Sequence, residues 1–209
     1  MASKSSLGIS IVATCLFALV ACGSVPKAAP GYAVHDFGSL DEAPARGPVL
    51  PIRHAEVVPA PWLASTAMQY RLAYSQPTRR QSFLENRWAA QPAQLVELAV
   101  KRSLRSNESS PAASGCRLRI DLDEFAQVFE SESVSRGVLE ARAALLAPRS
   151  DQLVATRSFS VSRPAPSANA VGGVVALREG VAELNHALVG WLDTLDSDAA
   201  GRLRTRCGG

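Results

Sequence analysis

The residue with the clearest chemistry in this sequence is Cys22, which follows Leu-Val-Ala at positions 19–21. This run has the form of a lipobox, where a bacterial signal peptidase cuts before the cysteine, the sulfur takes a diacylglycerol and the new amine is acylated. Lys4 precedes an apolar stretch at 7–20, which is shorter than the roughly 20 residues of a membrane span. The sequence therefore predicts a lipoprotein signal peptide over residues 1–21. The alternative is an ordinary signal peptide with a chance cysteine.

The segment after the cleavage site predicts a lipidated tether over residues 22–31. It contains Pro26 and Pro30 and few side chains that a core could bury. Acyl chains contribute about 0.8 kcal/mol per buried CH₂, so several chains would hold the protein stably at a membrane. The residue after Cys22 is Gly23 and not Asp, and Asp there commonly retains lipoproteins at the inner membrane. We therefore expect a periplasm-facing protein anchored in the bacterial outer membrane.

The other cysteines have different expected fates. Cys15 belongs to the predicted signal peptide and is removed with it. Cys116 and Cys207 remain in a compartment where thiols oxidise, and an intramolecular disulfide is the simplest pairing. Two free thiols and an intermolecular bridge are the alternatives.

Length and charge exclude some classes of protein. The chain has 209 residues, and without its signal peptide it is long enough for one domain with a substantial core. Its formal net charge of +3 is too even for a nucleic-acid-binding protein.

The alternation of apolar and polar residues predicts the elements that must position any site. Strands are expected at residues 32–37, 49–58, 68–74, 117–123, 138–146 and 153–161. Helices are expected at 92–106, after Pro92, and at 174–191, and residues 81–90 are expected to be an irregular connection. The order β-β-β-α-β-β-β-α predicts an α+β fold, with a mixed, largely antiparallel sheet of about six strands and two helices packed on one face.

Motifs for catalysis or cofactor binding are absent from the sequence. There is no H-E-x-x-H, C-x-x-C, G-x-S-x-G or G-x-x-x-x-G-K-[ST] motif, and the three histidines lack metal-ligand spacing. Asp121, Asp123 and Glu124 are close together, but they belong to the polar side of an alternating strand and are expected to be solvated charges. We expect no enzymatic activity, no cofactor and no metal.

Two groups of residues are candidates for binding a partner. Asn86, Arg87 and Trp88 combine an arginine with a tryptophan, and both types are enriched at interface hot spots. The alternative is that Trp88 packs in the core while its neighbours satisfy the backbone of a loop. Aromatic residues of earlier segments form the second group: Trp62, Tyr70 and Tyr74.

Several motifs occur together with the lipobox. They are Tyr-x-Leu-x-Tyr at 70–74, Asn-Arg-Trp-Ala at 86–89, the strand with Leu118, Ile120 and Leu122, Ala-Arg-Ala at 141–143, and the segment from Gly172-Gly173 to Trp191-Leu192. In this combination, residues 22–195 resemble the ABC-type transport auxiliary lipoproteins, the PqiC-like family. The pair Cys116 and Cys207 departs from that family, as does the segment Tyr-Ala-Val-His-Asp-Phe at 32–37.

The resemblance implies a non-catalytic auxiliary subunit of an MCE-type (Mla- or Pqi-like) lipid transport system. Its partners would be a periplasmic MCE-domain protein with its permease and ATPase, the membrane and, in some members, further copies of itself in a ring. The domain would cover residues 32–195, followed by a polar tail at 196–209. The alternative is an envelope lipoprotein of another assembly that binds lipid or serves a structural role, of the TolB or LptE type. Cargo and transport direction are not encoded in any motif.

Overall fold

The computed structural model describes residues 31–39, 51–105, 115–148, 150, 152–198 and 206–207. The predicted signal peptide, Cys22 and the tether up to residue 30 lie outside this part. Residues from Tyr32 onward belong to one compact unit. None of the helices in the described part is long and apolar enough to cross a membrane.

The described chain forms seven strands and two helices. The strands are β1 Ala33–His35, β2 Ile52–Pro59, β3 Ala67–Leu72, β4 Gln76–Trp88, β5 Cys116–Phe129, β6 Ser135–Leu146 and β7 Leu153–Pro164. The helices are α1 Pro92–Arg105 and α2 Ala170–Asp198, and a 3-10 turn at Pro61–Leu63 separates β2 from β3.

All seven strands belong to one mixed sheet in the order β1-β4-β3-β5-β6-β7, with β2 also paired to β5. The pairs β3–β4, β5–β6 and β6–β7 are antiparallel, whereas β1–β4, β2–β5 and β3–β5 are parallel. Along one edge of β5, β2 pairs with residues 116–122 and β3 with residues 127–129. The predicted α+β class and mixed sheet are confirmed.

The central strand β5 follows its sequence pattern closely. Leu118, Ile120 and Leu122 are buried, as the alternation predicts for a strand with one face against a core. The register to β6 shifts between Leu122 and Glu124, and Phe125 is then buried. This bulge restores the apolar phase, so the same face of the sheet stays apolar on both sides of it.

The predicted irregular connection at residues 81–90 is wrong, because most of it belongs to strand β4. The pairing of β4 with β3 is antiparallel but shifts register twice, joining Ala67 to Arg87, Gln69 to Ser82 and Leu72 to Gln76. Most β4 side chains are exposed or half-buried. A strand with register shifts and no buried face shows no regular alternation, so its sequence carries no period-2 signal.

Both helices cover one face of the sheet. α1 packs on β2, α2 packs on β5, β6 and β7, and the helices also contact each other. α2 lies close to the sheet because Gly137 of β6 has no side chain: a Cβ there would lie 2.9 Å from the backbone carbon of Ala176. α2 also begins four residues earlier than predicted, and a Cβ at Gly173 would overlap Oε1 of Gln127. These glycines therefore serve helix–sheet packing.

Candidate functional site

The most exposed candidate aromatic is Trp62, which the 3-10 turn presents to solvent. Pro61 at the start of this turn has the fixed φ that suits a helical first position. The Trp62 side chain is 52% exposed, and its Nε1 donates a hydrogen bond of 3.1 Å to the carbonyl of Asp123. Gln69 Nε2 donates to the Trp62 carbonyl. The ring is therefore held in one place although half of it faces solvent.

A charged network adjoins this ring. Arg80 makes a bidentate ion pair with Glu124, at 2.7 and 2.9 Å, and Arg71 binds the same carboxylate at 3.1 Å. The guanidinium carbon of Arg80 lies 5.5 Å from the centre of the Trp62 ring, which is within cation–π range. We call Trp62, Arg71, Arg80 and Glu124 the Trp62 cluster. It combines an ordered tryptophan with an ordered arginine, as interface hot spots commonly do.

Glu124 was expected to be a solvated surface charge, and that expectation is wrong. Its side chain is largely buried, and burial alone would raise its pKa. The hydrogen bonds and charge of Arg80, the hydrogen bond from Arg71 and the backbone N–H of Phe125 outweigh burial and lower the pKa below its ordinary value. Glu124 is therefore a carboxylate held ionised by two arginines of neighbouring strands.

Tyr70 and Tyr74, the other members of the predicted aromatic group, have environments that differ from each other. The Tyr70 ring packs on Phe83 and Phe129, with centroids 4.7 and 5.7 Å away, and its hydroxyl contacts Gln81 Oε1. Tyr74 lies in the turn between β3 and β4 and is 47% exposed. The structure thus divides the aromatic group predicted from the sequence into a packed residue, Tyr70, and two exposed ones.

The end of β4 carries the other predicted group, and its residues point to different environments. Trp88 is only 2% exposed and packs edge-on against Phe37 and Phe125, with ring centroids 5.7 and 5.6 Å away. It offers a partner no surface in this structure. Of the two interpretations left open by the sequence, the geometry supports packing for this residue.

Asn86 and Arg87 attach the first strand to the sheet. Nε2 of His35 and Oδ1 of Asn86 are joined by a hydrogen bond of 2.9 Å. The guanidinium carbon of Arg87 lies 4.5 Å from the centre of the Tyr32 ring, which is half exposed. This arginine–tyrosine pair is a second surface feature of the kind that binds partners. No sequence motif pointed to Tyr32 or Arg80 as a site residue, because their partners come from distant parts of the chain.

Cys116 and Cys207 form a disulfide in the structure, with Cα atoms 4.7 Å apart and both residues buried. Cys116 is the first residue of β5, so the bond attaches residues 206–207 to the start of the central strand. A sequence separation of 91 residues makes this a long closed loop. The pair belongs to the architecture of the domain, since no water-exposed sulfur is available for chemistry.

Within the described residues, no group of three or more His, Cys, Asp and Glu side chains could hold a metal ion. Glu97 is a further carboxylate with a perturbed pKa. Burial alone would raise that pKa, but the hydrogen bond from Lys101 and the backbone N–H of Val57 lower it on balance. Because this carboxylate links α1 to β2, its perturbation reflects packing of the helix on the sheet.

Comparison with known proteins decides the family. The sequence profile of the ABC-type transport auxiliary lipoprotein component family matches residues 39–189. The chain belongs to this family. Residues 39–189 include β2 to β7, α1, most of α2, the Trp62 cluster and Arg87. This auxiliary lipoprotein domain therefore contains nearly all of the sheet described above.

Solved structures share the fold of this auxiliary lipoprotein. A Xanthomonas campestris protein of the DUF330 family superposes with a TM-score of 0.65 at 24% identity, covering 82% of this chain and 97% of its own. An uncharacterised protein superposes with a TM-score of 0.57 at 14% identity, covering 78% and 99%. No curated protein sequence matches the chain.

Proposed function

We propose that this auxiliary lipoprotein is a non-catalytic docking subunit of an MCE-type ABC transport system. Lipid at Cys22 would hold it in the outer membrane, facing the periplasm, while a separate ATPase supplies the energy. The cargo would be phospholipid or another hydrophobic molecule, and the direct partner a periplasmic MCE-domain protein. The family match over residues 39–189 carries this proposal, because that family is described as an auxiliary lipoprotein component of ABC-type transport.

Two further observations support it. The lipobox at residues 19–22 supplies the anchor that a lipoprotein needs. In the described residues, the perturbed carboxylates Glu97 and Glu124 are each ion-paired with basic side chains of the domain itself. These groups fit a protein that binds a partner better than one that performs a reaction.

The docking surface that we propose is the Trp62 cluster together with the pair Tyr32 and Arg87. Trp62 and Tyr32 are each about half exposed, and each ring lies under an arginine. Aromatic rings that are already fixed lose little side-chain entropy when a partner covers them. The cluster can therefore contribute apolar contact area and charged hydrogen bonds at the same place.

Lipidation is tested by labelling cells with radioactive palmitate. The wild-type protein should incorporate the label and the Cys22→Ala variant should lose it. Cys15→Ala is the matched control, since its cysteine belongs to the predicted signal peptide and should leave labelling unchanged. Incorporation of palmitate by Cys22→Ala at the wild-type level would contradict the lipobox assignment.

Partner binding is tested by pull-down from detergent-solubilised envelopes at native expression. The wild-type protein should recover an MCE-domain protein, and Trp62→Ala should weaken recovery at least tenfold, as loss of a hot-spot tryptophan costs about 2 kcal/mol or more. Leu98→Ala is the matched control, because Leu98 is similarly exposed but belongs to α1, whereas the cluster is formed by the 3-10 turn and strands β3 to β5. Recovery of bound lipid without any MCE protein would instead favour an independent lipid carrier.

A further inference from the structure

The direction of β1 determines which end of the domain the tether leaves from. β1 is parallel to β4, which is antiparallel to β3, so the N-terminus of β1 points the same way as the C-terminus of β3. Val34 and Ala67 both pair with Arg87 and are therefore level with each other. At about 3.3 Å per residue, Tyr32 then lies within about 10 Å of the level of Leu72, where β3 ends.

That end of the sheet, which we call the hairpin end, comprises the β3–β4 turn, the connection between β5 and β6, and the start of α2. The backbone N–H of Ala73 donates a hydrogen bond to the carbonyl of Phe129, which places the β3–β4 turn beside the β5–β6 connection. The backbone N–H of Ala165, just before α2, bonds to the carbonyl of Ser135 at the start of β6. The opposite end is marked by Cys116 and its disulfide.

Exposed apolar side chains occur in each part of the hairpin end. Tyr74 lies in the β3–β4 turn, Val134 in the β5–β6 connection and Val171 in the first turn of α2, and all three are about half exposed. A tyrosine and two valines exposed at one end of a domain suit a membrane interface, where aromatic rings lie at the level of the lipid headgroups. Glu130 of the same end is ion-paired with Arg136, and Glu132 of the β5–β6 connection is exposed, so acidic side chains offset the basic ones on this surface.

The length of the tether distinguishes the two ends. Ten residues separate Cys22 from Tyr32, and at 3.3–3.6 Å each they reach at most about 35 Å. Tyr32 is level with the middle of β3, and the pairing of Tyr70 with Gln127 relates β3 to β5. Cys116 begins β5 about ten residues before that level, so Tyr32 lies about 30 Å from it along the strand direction. For the disulfide end to touch the bilayer, the tether would have to run back along the whole domain and be almost fully extended. For the hairpin end to touch the bilayer, the tether needs only part of its length.

The geometry points to the hairpin end as a membrane-contact surface: Tyr74, Val134 and Val171 rest on the headgroups of the bilayer that holds the lipid at Cys22. This inference rests on the proposed lipid anchor and adds an orientation to it. The occupant of these apolar side chains is a lipid surface, because the anchor brings a bilayer to within the reach of the tether. The disulfide end then faces away from that membrane. Because the surface is not strongly basic, contact needs no anionic lipid.

Site-specific fluorescence in vesicles tests this orientation. The mature lipidated protein is reconstituted into phosphatidylcholine vesicles, as Val134→Cys or as Leu153→Cys, each labelled with an environment-sensitive maleimide dye. Leu153 is the matched control, since it is 55% exposed against 51% for Val134 and lies at the other end, where β7 begins. The native disulfide does not react with the dye. Val171→Cys provides a second probe of the hairpin end.

Phospholipid carrying a nitroxide on its headgroup is then added to the vesicles as quencher. We expect several-fold stronger quenching at positions 134 and 171 than at position 153, and equal results when phosphatidylglycerol is included. If the protein floats with the vesicles but position 153 is quenched as strongly, or no position is quenched, the orientation is overturned while the anchor stands. If the protein does not float with vesicles at all, the anchor itself is overturned, and the orientation with it.

Discussion

Breaking the bond between Cys116 and Cys207 should cost a large part of the stability of the domain. The bond closes a loop with a sequence separation of 91 residues. In the chain-entropy model, a loop of this length restricts the unfolded chain by about 4.6 kcal/mol at 25 °C. Small domains have free energies of unfolding of about 5–15 kcal/mol, so the reduced protein should be only marginally stable.

The measurement is urea unfolding of the chain without residues 1–22, followed by circular dichroism, in oxidised and reduced form. The reduced protein should unfold at a lower urea concentration. Its m-value should rise, because an unfolded chain without the cross-link exposes more surface. The double variant Cys116→Ala with Cys207→Ala should resemble the reduced protein and should not respond to reductant.

A loss below about 1 kcal/mol on reduction would refute the reasoning. It would mean either that the reduced unfolded state stays compact or that residues 206–207 detach from β5 once the bond is broken, so that the native chain gains freedom as well. An unchanged m-value would point to the first explanation, whereas a raised m-value with little loss of stability would point to the second.

Four substitutions test packing and electrostatics elsewhere in the domain. Gly137→Ala should lower the free energy of unfolding by about 1–3 kcal/mol, since its Cβ would press on the backbone of α2. Gly190→Ala should raise the free energy of unfolding by about 1 kcal/mol, because Gly190 is an exposed helical residue with open space around it. Equal effects of the two substitutions in thermal melts would contradict the close approach of α2 to β6. Glu124→Gln should cost about 2 kcal/mol at pH 7. Because the pKa of Glu124 is lowered in the folded state, this stabilisation is present above the unfolded pKa of about 4.3 and is lost as pH falls through the folded pKa. Urea unfolding should therefore show a smaller difference in stability between wild type and Glu124→Gln at pH 3 than at pH 7. The same difference at both pH values would argue against the ion pair. Trp88→Ala should cost about 3–5 kcal/mol by urea unfolding, and a stable variant that lost only partner binding would contradict its core position.

Elements with one buried face could be predicted from the sequence. Leu118, Ile120 and Leu122 alternate with polar residues because β5 has helices on one side, and the apolar stripe of α2 repeats at three and four residues for the same reason. β4 could not be predicted, since its register shifts and exposed faces remove any period. A strand or helix can therefore be predicted from local sequence only when one of its faces is buried along its whole length.

The candidate site was less predictable than the fold. Glu124 lies in the same charged stretch of sequence as Asp121 and Asp123, whose side chains are more exposed. The strands that carry Arg71 and Arg80 give Glu124 its different environment. The environment of Trp88 likewise depends on rings that are distant in the chain. Residue types indicated which side chains could bind a partner, but exposure decides which ones can, and exposure is set by tertiary contacts.

The parallel pairing of β2 and β3 with β5 has a consequence for folding kinetics. These strands precede α1, yet both pair with β5. The β3–β4 hairpin can form locally, but β2 has no partner in the sheet until residues 116–122 are present. Such non-local parallel pairings slow folding, because the entropy cost of closing the loop arises before the stabilising contacts form. The lipid anchor that we propose would require export of the unfolded chain, and in that case this delay would leave the N-terminal half without a completed sheet until the later segment arrives.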